Sequence, residues 1–522
     1  MPFFDPIRIG ASGTVDTAFT VNRSARYSRP DNHYSSKQPS SAGNRRTFTI
    51  STWVKRSNQD VNGALFYAGT SVGANHDDTD AFLFNSSNQI NFVGEESQTV
   101  KYDLVTNRLF RDPAAWYHIV LAVDTTQGTA SNRIKLYVNG VQETSFATET
   151  YPSQNYELFV NSTVSGGYTS GNIHVLGYTG SGRGLDGYLA EYHLIDGQQL
   201  TPSSFGETNL TTGQWVPKDT SGLNFGTNGF RLQFSDNSGT TATTLGKDTS
   251  GNSNNFTPNN FSVAAGTGND SLEDTPTNNF ATLNFLKQPS SGGVITNGNL
   301  VGSGSANSFR SYLSTIYVSS GKWFCEVEVH ALRMFVGIAR EDADSENNYL
   351  GYLANSYCYS DLFGKFNNGS SSSYGDTYAA NDVIGVALDL DNGTLIFYKN
   401  GVSQGTAFTG LSGSFALGFS TYDSDSSASI NFGQRAFNYT VPTGYKKLNS
   451  ANLPDPTILL PNKHFDTLLY TGNSSTQSIT GLNFQPDWVW IKKRVSGGST
   501  NHHVFDSVRG VHKHIPPNTT SS

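Results

Sequence analysis

The sequence predicts an all-β fold: antiparallel β-sandwiches in tandem, followed by a small C-terminal β unit. Apolar residues alternate with a period of two, which is typical of strands with one buried face. Asn-Gly pairs, which favour tight hairpin turns, follow such stretches at Asn139-Gly140 and Asn400-Gly401. Aromatic residues make up 12% and charged residues 15% of the 522 residues, unlike a disordered chain. No long window keeps helical apolar spacing without Gly or Pro, so long amphipathic helices are not expected.

The first predicted sandwich spans residues 20–234. Its strand signals lie at residues 47–54, 81–84, 89–93, 116–123 and 133–141. A short connection at 85–88 joins the second and third of these as a hairpin. The fourth is almost continuously apolar, as expected of a central strand covered on both faces.

The second predicted sandwich spans residues 300–448 and repeats the same device. An apolar strand at 382–389 ends in Asp, a turn follows at 391–393, and a return strand at 395–399 leads into the second Asn-Gly pair. This strand–turn–strand unit has a counterpart in the first sandwich, so the two regions are predicted to share one general architecture.

Three further segments complete the predicted organisation. Residues 1–19 form an N-terminal docking segment. Residues 235–299 form a connector rich in Asn, Ser and Gly, whose scattered Phe and Leu residues predict that it packs on the domains it joins. Residues 457–522 form a partial C-terminal β domain, which is small for an independent core. Either other chains complete this domain, or the sequence is a shortened one.

Charge and targeting signals exclude several classes of function. The net charge is −8, from 34 Lys and Arg against 42 Asp and Glu, and no basic block occurs, so no nucleic-acid partner is expected. Cys325 and Cys358 favour two buried thiols over a disulfide bridge. The N-terminus lacks the pattern of a signal peptide, and no apolar stretch is long enough for membrane insertion. We therefore expect synthesis in a host cytoplasm.

One set of stretches matches a known kind of domain: residues 41–49, 53–56, 115–120, 185–191 and 197–206, together with 4–13 and 275–280. On these stretches the first sandwich resembles a laminin-G/concanavalin-A-like domain of tail proteins of marine and cyanobacterial phages. This resemblance implies a two-sheet antiparallel jelly roll used for binding.

A second set of matching stretches lies at residues 321–328, 382–386 and 391–401, and a third, in the tail, at 488–492 and 505–510. On these stretches the second sandwich resembles a SPRY domain, and the tail is similar to a C-terminal domain of such phage proteins. The order of the three units implies a virion protein, located in the tail or a surface appendage. Its partners would be other virion tail proteins and a host cell-surface glycan or receptor. A homo-oligomer, in particular a trimer, is expected of fibres.

One acidic strand is the candidate for catalysis. Glu326, Glu328 and His330 share one face of a strand, and concanavalin-like glycosidases place paired carboxylates in this way. The sequence favours the alternative, in which these residues form the solvated face of an amphipathic strand. We therefore predict that the chain is not an enzyme.

Two acidic clusters are candidates for a Ca²⁺ site. Asp77, Asp78 and Asp80 supply three carboxylates within four residues, a hard oxygen set suited to Ca²⁺. Laminin-G-like domains often hold Ca²⁺ at a sandwich rim, whereas a solvated acidic loop tip is the interpretation that the sequence favours. Asp423 and Asp425 form a similar, smaller group.

A tyrosine-rich segment of the second sandwich is the candidate ligand-binding loop. Sugars stack on aromatic rings and form hydrogen bonds with Asn and Asp, and exposed tyrosines combine apolar area with a polar group. The predicted contacts are Tyr349, Tyr352, Tyr357, Tyr359, Asp361 and Asn348, with Phe363, Asn347 and Asn355 beside them. In the alternative interpretation these tyrosines pack the edge of the sandwich.

Four histidines, His502, His503, His512 and His514, raise the question of a metal site in the tail. Exposed histidines without a metal are the favoured interpretation.

The sequence therefore predicts a tail fibre or tail-associated protein that binds host-surface glycan or receptor through rim loops. A structural virion protein that joins or decorates tail or head components is the alternative. A glycan depolymerase that uses Glu326 and Glu328 is a third hypothesis.

Overall fold

A computed structural model describes residues 19–70, 78–163, 172–180, 182–289, 292–343, 347–362, 364–494, 500–510 and 512–519. Within these ranges the regular elements are β-strands and short 3-10 helices, and none is an α-helix. The chain divides into a larger unit, Met1–Asn209 with Trp215–Asp455, and a smaller unit, Leu210–Gln214 with Pro456–Ser522. The predicted all-β class is confirmed.

In chain order, the strands of the first sandwich are β1 Ser24–Tyr27, β2 Tyr34–Lys37, β3 Thr47–Arg56, β4 Gly63–Gly69, β5 Thr79–Phe84, β6 Ile90–Glu96, β7 Thr99–Thr106, β8 Trp116–Asp124, β9 Ile134–Val138, β10 Val141–Gln142, β11 Phe146–Thr150, β12 Ile173–Leu176, β13 Gly187–Asp196, β14 Gly206–Thr208, β15 Trp215–Pro217, β16 Phe230–Leu232, β17 Thr257–Asn259 and β18 Ser271–Leu272. Those of the second sandwich are β19 Val294–Thr296, β20 Val301–Ser303, β21 Arg310–Leu313, β22 Lys322–Val329, β23 Met334–Arg340, β24 Ser356–Ser360, β25 Gly364–Asn367, β26 Ser370–Ser372, β27 Val383–Asp389, β28 Thr394–Lys399, β29 Val402–Phe408, β30 Phe415–Thr421, β31 Ser427–Asn431 and β32 Lys446–Lys447. The remaining elements are β33 Trp488–Ile491, β34 His503–Asp506 and the 3-10 helices Ala130–Asn132, Pro202–Ser204, Phe285–Lys287, Ser450–Asn452 and Pro461–Lys463.

Two antiparallel sheets form the first sandwich. One has the order β10-β9-β8-β3-β13-β1-β18, with β16 also paired to β13, and the other has the order β11-β7-β6-β5-β4-β12-β2-β17. Apolar residues of alternate parity fill the space between them: Ile50 and Leu121 come from the first sheet, and Phe66 and Phe82 from the second. This is the layered packing that period-two patterning favours.

The opposite face of the first sheet is covered as well. His118 of β8 is 1% exposed, and its ring stacks on that of Trp53 at a centroid distance of 4.8 Å. The indole Nε1 of Trp215 donates a hydrogen bond to Nδ1 of His118 at 2.9 Å, and Nε2 of His118 lies 2.9 Å from Ser51 Oγ. Burial lowers the pKa of His118 to about 3, so the ring is neutral at physiological pH. The polar residues of this face are therefore packed rather than solvated.

The second sandwich also consists of two sheets. Their orders are β19-β20-β31-β22-β27-β28-β29, with the short parallel strand β32 beside β22, and β21-β30-β23-β24-β25-β26. Val327, Val386, Ile338 and Leu417 are fully buried members of the core that the two sheets share. Cys325 and Cys358 are free and buried, one in each sheet, as the sequence predicted.

The predicted Asn-Gly turns close two hairpins. Asn139 and Gly140 have φ of +48° and +82° and join β9 to β10. Asn400 and Gly401 have φ of +49° and +79° and join β28 to β29. Two successive positive φ values give a turn whose twist matches that of the flanking strands.

Part of the predicted connector is built into the first sandwich. Strand β17 pairs with β2, and β18 pairs with β1, so both extend the sheets that precede them in the chain. Strand β19, also within residues 235–299, pairs with β20 of the second sandwich. The predicted domain boundaries themselves stay a prediction.

A buried lysine ties the connector to the first sandwich. Lys55 of β3 is 0% exposed, and its ammonium group donates to Asp274 Oδ2 at 2.8 Å, Asn279 Oδ1 at 2.8 Å and the carbonyl of Phe280 at 3.0 Å. The other carboxylate oxygen of Asp274 accepts the indole N–H of Trp116 at 3.1 Å. The charge pair is thus satisfied by hydrogen bonds on both sides, which a buried ion pair requires.

The connector also contacts the second sandwich. The backbone amide of Asn279 donates to Ser450 Oγ at 2.9 Å, and the amide of Ser450 donates to the carbonyl of Asn279 at 2.8 Å. Lys447 pairs with Glu273 at 2.6 Å. Residues 273–281 therefore bridge two sandwiches that lie within one compact unit.

The smaller unit has little buried apolar surface among its described residues. Strands β33 and β34 pair antiparallel, and Val504 is 7% exposed, whereas Trp488 and Trp490 are 49% and 53% exposed. A two-stranded sheet by itself is marginally stable. No helix of the described chain is long and apolar enough to cross a membrane. The predicted docking segment lies outside the described residues, apart from Phe19.

Candidate functional site

An aromatic cluster lies on the outer face of the six-stranded sheet of the second sandwich. On β23, Val336 and Ile338 point into the core, whereas Phe335, of the other parity, belongs to a separate cluster with Leu350 and Cys358. We call the aromatic part of this cluster the aromatic patch. It consists of Phe309, Phe335, Tyr349, Tyr352, Phe366 and Tyr422.

Tyr349 is the centre of the aromatic patch. Its ring centroid lies 4.7 Å from Phe309, 4.8 Å from Phe335, 5.6 Å from Phe366 and 5.5 Å from Tyr352. The ring of Tyr352 meets it edge to face, with 68° between the planes, and Tyr352 is 48% exposed. The patch therefore presents one open tyrosine ring on a layer of packed rings.

The segment that carries these tyrosines is fixed by hydrogen bonds. Ser311 Oγ donates to the carbonyl of Asn348 at 2.6 Å, and the amide of Leu350 donates to Ser420 Oγ at 2.9 Å. The amide of Gly351 donates to Ser356 Oγ at 3.0 Å. Because Leu350 is also fully buried, the segment has a defined conformation before any ligand arrives.

Gly351 is required by this conformation. Its φ is +94°, a region that residues with a side chain rarely adopt. A Cβ at this position would lie 2.6 Å from Cβ of Phe366 and 2.9 Å from Sγ of Cys358. The tyrosine segment can approach the sheet this closely only with glycine here.

A charged group borders the aromatic patch. The guanidinium of Arg333 lies 5.5 Å from the centroid of Tyr422 and pairs with Asp423 at 2.8 Å. Arg333 is exposed, and Tyr422 and Asp423 are half-buried. The border thus offers both donors and acceptors beside aromatic rings, which suits a ligand with hydroxyl groups. Asp425, predicted as a partner of Asp423, is exposed.

The structure brings together some of the predicted ligand contacts and separates others. Tyr349 and Tyr352 belong to the aromatic patch, and Asn348 is half-buried next to them. On β24, the side chains of Tyr357 and Tyr359 lie on the opposite face of the sheet from Cys358, and both point toward the core. Tyr359 is 0% exposed, so the structure does not support the predicted ligand contact for it.

Asp361 caps the backbone beside β23. Its carboxylate accepts the amides of Arg333 at 2.8 Å and Met334 at 3.2 Å, and the residue is 2% exposed. Burial raises the pKa of the carboxyl group, and the two amides act in the opposite direction. This geometry gives Asp361 a structural role. Phe363 lies outside the described residues.

Glu326 is likewise engaged by the backbone. It is 2% exposed, and its two carboxylate oxygens accept the amides of Asn438 at 2.7 Å and Tyr439 at 2.9 Å. Glu328 is half-buried and His330 is exposed. The expectation that Glu326 belongs to a solvated strand face is wrong, because the segment around Asn438 covers it.

The acidic group near β5 is only partly described. Asp77 lies outside the described residues. Asp78 is 4% exposed and accepts the amide of Ser97 at 2.8 Å. Asp80 is fully buried, and its oxygens accept the hydroxyl of Tyr102 at 2.5 Å and the amide of Val160 at 2.8 Å. Asp78 and Asp80 are thus not a solvated loop tip.

Burial raises the pKa of Asp80 to about 6, although the two hydrogen bonds and Arg45 lower it. In the described part of the chain no group of three or more His, Cys, Asp or Glu side chains is arranged to hold a metal ion. Three of the tail histidines contact other side chains. The ring centroids of His503 and His514 lie 4.7 Å apart, and Trp490 Nε1 donates a hydrogen bond to His502 Nδ1 at 3.2 Å.

Three stretches of the chain match known families. Residues 30–204 match the concanavalin A-like lectin/glucanases superfamily, residues 322–435 match the SPRY domain, and residues 460–522 match a Domain of unknown function (DUF7483). The chain therefore carries a laminin-G/concanavalin-A-like domain and a SPRY domain, as the sequence predicted. Both are β-sandwich domains of a kind suited to binding.

Individual relatives cover parts of the chain. The E3 ubiquitin-protein ligase RKP of Arabidopsis thaliana is 30% identical over 150 residues, which is 27% of this chain but 12% of that protein. The SPRY domain of human HERC1 is 19% identical with a TM-score of 0.23, over 26% of this chain and 91% of the HERC1 domain. A heptameric SAP-like pentraxin from Limulus polyphemus is 16% identical with a TM-score of 0.25, over 35% of this chain and 80% of the pentraxin.

Proposed function

We propose that this chain is a tail fibre or tail-associated protein of a bacteriophage, and that it binds a host-surface glycan or receptor through the aromatic patch. The support for binding is the pairing of a lectin-like domain with a SPRY domain in one chain. The support for a virion location is the resemblance of the N-terminal segment, the first sandwich and the tail to phage tail proteins.

The exposed ring of Tyr352 is the observation that carries the proposal. The ring centroid of Tyr352 lies 5.5 Å from that of Tyr349, in a segment fixed by hydrogen bonds. Arg333 and Asp423 lie beside the same patch. Sugar rings stack on such aromatic faces, and a fixed platform lowers the entropy lost on binding.

Adsorption of purified protein to host cells tests this proposal. We expect Tyr352→Ala to reduce binding about tenfold, since an aromatic contact contributes roughly 0.5–1.5 kcal/mol beyond its buried area. Tyr439→Ala is the matched control, because Tyr439 is also exposed, at 38%, and does not belong to the aromatic patch. Equal adsorption of both variants and the wild type would assign the receptor contact to another surface.

A structural role in the virion is the second candidate. The buried pair of Lys55 with Asp274 and the bridge of residues 273–281 hold two sandwiches in one compact unit, as expected of a stiff spacer. Electron microscopy of the intact particle distinguishes the candidates. A binding protein has its aromatic patch open to solvent in the particle, whereas a spacer has it covered by other tail or head proteins.

We further propose that binding occurs without catalysis. Both oxygens of Glu326 are occupied by backbone amides, which leaves Glu328 without a second free carboxylate from this strand. Incubation with host polysaccharide and an assay for new reducing ends tests this. Release of reducing ends that Glu328→Gln abolishes would establish the depolymerase instead.

The remaining proposals concern assembly. We propose a homo-oligomer, in particular a trimer, with other tail proteins as partners and no nucleic acid or membrane. The exposed tryptophans of β33 are consistent with a surface that other chains cover. Light scattering of the full chain gives the copy number, and a monomer at micromolar concentration would contradict this. A Ca²⁺ requirement stays a proposal, tested by calorimetric titration of the full chain with Ca²⁺.

A further inference from the structure

A polar cleft lies at one end of the first sandwich, far along the chain from the aromatic patch. Its volume is about 580 Å³, and it is lined by the end of β2 and by the loop that precedes β17. At this end, β2 pairs with β12 through Lys37 and His174, and with β17 through Ser36 and Thr257. The lining is formed by hydroxyl and amide groups and one lysine, with Ile173 as the apolar contribution.

The loop that forms one wall is fixed around Asp248. The carboxylate of Asp248 accepts the amides of Arg231 at 2.9 Å, Ser250 at 2.8 Å and Asn254 at 2.7 Å, and the hydroxyl of Ser250 at 2.9 Å. The amide group of Asn252 donates to the carbonyl of Gly229 at 2.9 Å. A wall held by this many hydrogen bonds does not have to be ordered when a ligand binds.

Lys37 provides an uncommitted positive charge in this cleft. It is half-buried and makes no ion pair or side-chain hydrogen bond with the described residues. Its charged neighbour, Asp248, is 7% exposed, and that carboxylate is already occupied by the wall. His174 opposite Lys37 is neutral, because burial lowers its pKa to about 3. An incoming anion therefore meets one ammonium group and no exposed carboxylate of the lining.

The neutral groups of the cleft offer both donors and acceptors. Asn252 uses its amide nitrogen toward the protein, so its oxygen is available as an acceptor. Asn255 uses its oxygen to accept the amide of Asp248 at 2.8 Å, so its nitrogen is available as a donor. Gln38 and Ser253 are exposed at the cleft and add one amide and one hydroxyl group. This set matches the alternating hydroxyl groups of a sugar.

We propose that this cleft is a second binding site, and that it takes an acidic saccharide whose carboxylate pairs with Lys37. The inference rests on the proposed glycan-binding function but on residues that the aromatic patch does not share. No aromatic side chain is among the described lining residues, so charge and hydrogen bonds select the ligand here rather than ring stacking.

Calorimetric titration of the full chain with oligogalacturonate, and with its methyl ester as the neutral counterpart, tests the proposal. We expect the wild type to bind the acid about tenfold more tightly than the ester, as a charge-assisted hydrogen bond allows. Lys37→Gln should remove this preference. Lys247→Gln, an exposed lysine beside the same loop, changes the net charge equally and should retain it.

A second variant protects the test against misfolding of Lys37→Gln. Ser253→Asp adds a negative charge at an exposed position of the cleft and should abolish binding of the acid while the thermal unfolding midpoint stays unchanged. The proposal is overturned if the wild type does not distinguish acid from ester, or if Lys37→Gln and Lys247→Gln behave alike. Tyr352→Ala should leave this titration unchanged, so failure of the aromatic patch and failure of the cleft are separate results.

Discussion

Replacing Lys55 by methionine should strongly destabilise the first sandwich, a domain of about 200 residues. The methionine side chain has a similar length but no charge, so Lys55→Met leaves the carboxylate of Asp274 at 1% exposure without its cation. Removing one partner of a buried ion pair costs about 3–5 kcal/mol. In a domain of 150–250 residues each kcal/mol shifts the unfolding midpoint by about 2–4 °C, so a decrease of roughly 6–20 °C is expected.

Differential scanning calorimetry of the full chain measures this shift. Lys101→Met is the matched control, because Lys101 pairs with Glu96 at 3.5 Å on the surface, with 34% and 46% of the side chains exposed. Exposed pairs contribute about 0–1 kcal/mol, so this variant should unfold at nearly the wild-type temperature.

The double variant Lys55→Met with Asp274→Asn separates charge from packing. The second substitution removes the unpaired charge that Lys55→Met leaves. The double variant should therefore lose about 0.5–3 kcal/mol less free energy of unfolding than the sum of the two single variants. Two results would contradict a stabilising role of the pair at the connector. One is a Lys55→Met midpoint within about 2 °C of the wild type, and the other is a double variant whose loss of stability equals the sum of the two single losses.

Three further predictions concern buried polar groups and one glycine. The pKa of Asp80, about 6 in the fold, lies above its ordinary value of 3.8, so this group contributes stability that is present below pH 4 and lost as the pH rises through 6. Relative to Asp80→Asn, the wild type should gain about 2 kcal/mol between pH 7 and pH 4 in urea unfolding, and parallel pH profiles would contradict this. Glu326→Gln should lower the free energy of unfolding by about 1–3 kcal/mol in the same assay, because the single oxygen of glutamine replaces two carboxylate oxygens that each accept a backbone N–H. An unchanged free energy of unfolding would show that Glu326 has no structural role. Gly351→Ala should lower the unfolding midpoint and weaken adsorption together, because the added Cβ would lie 2.6 Å from Phe366, and normal adsorption would show that this segment is not the binding platform.

The local pattern of the sequence was sufficient to predict the hairpins. Residues 116–123 and 133–141 became β8 and β9, and the Asn139-Gly140 turn has the two positive φ values that Asn-Gly favours. These features depend on neighbours along the chain, and hydrogen bonds to the adjacent strand follow from them.

The candidate site was predicted only in part, because proximity in sequence does not fix the direction of a side chain. Tyr352 and Tyr359 lie seven positions apart, yet one is 48% exposed and the other is fully buried. On β24 the direction alternates with each residue, and which parity faces the core depends on the partner sheet. The cleft at Lys37 was missed because Lys37 and Asn252 are separated by more than 200 positions, and no local pattern relates them.

The sequence by itself determined the strands, the tight turns and the general architecture, because these depend on alternation and backbone preferences over a few residues. Only the tertiary structure decided which polar residues are buried. By sequence pattern, Lys55 and Glu326 resemble solvated positions of a strand and Asp80 resembles part of a solvated loop, yet each is covered by a segment distant in sequence. Their burial is tolerated because that covering segment supplies the hydrogen bonds that replace water.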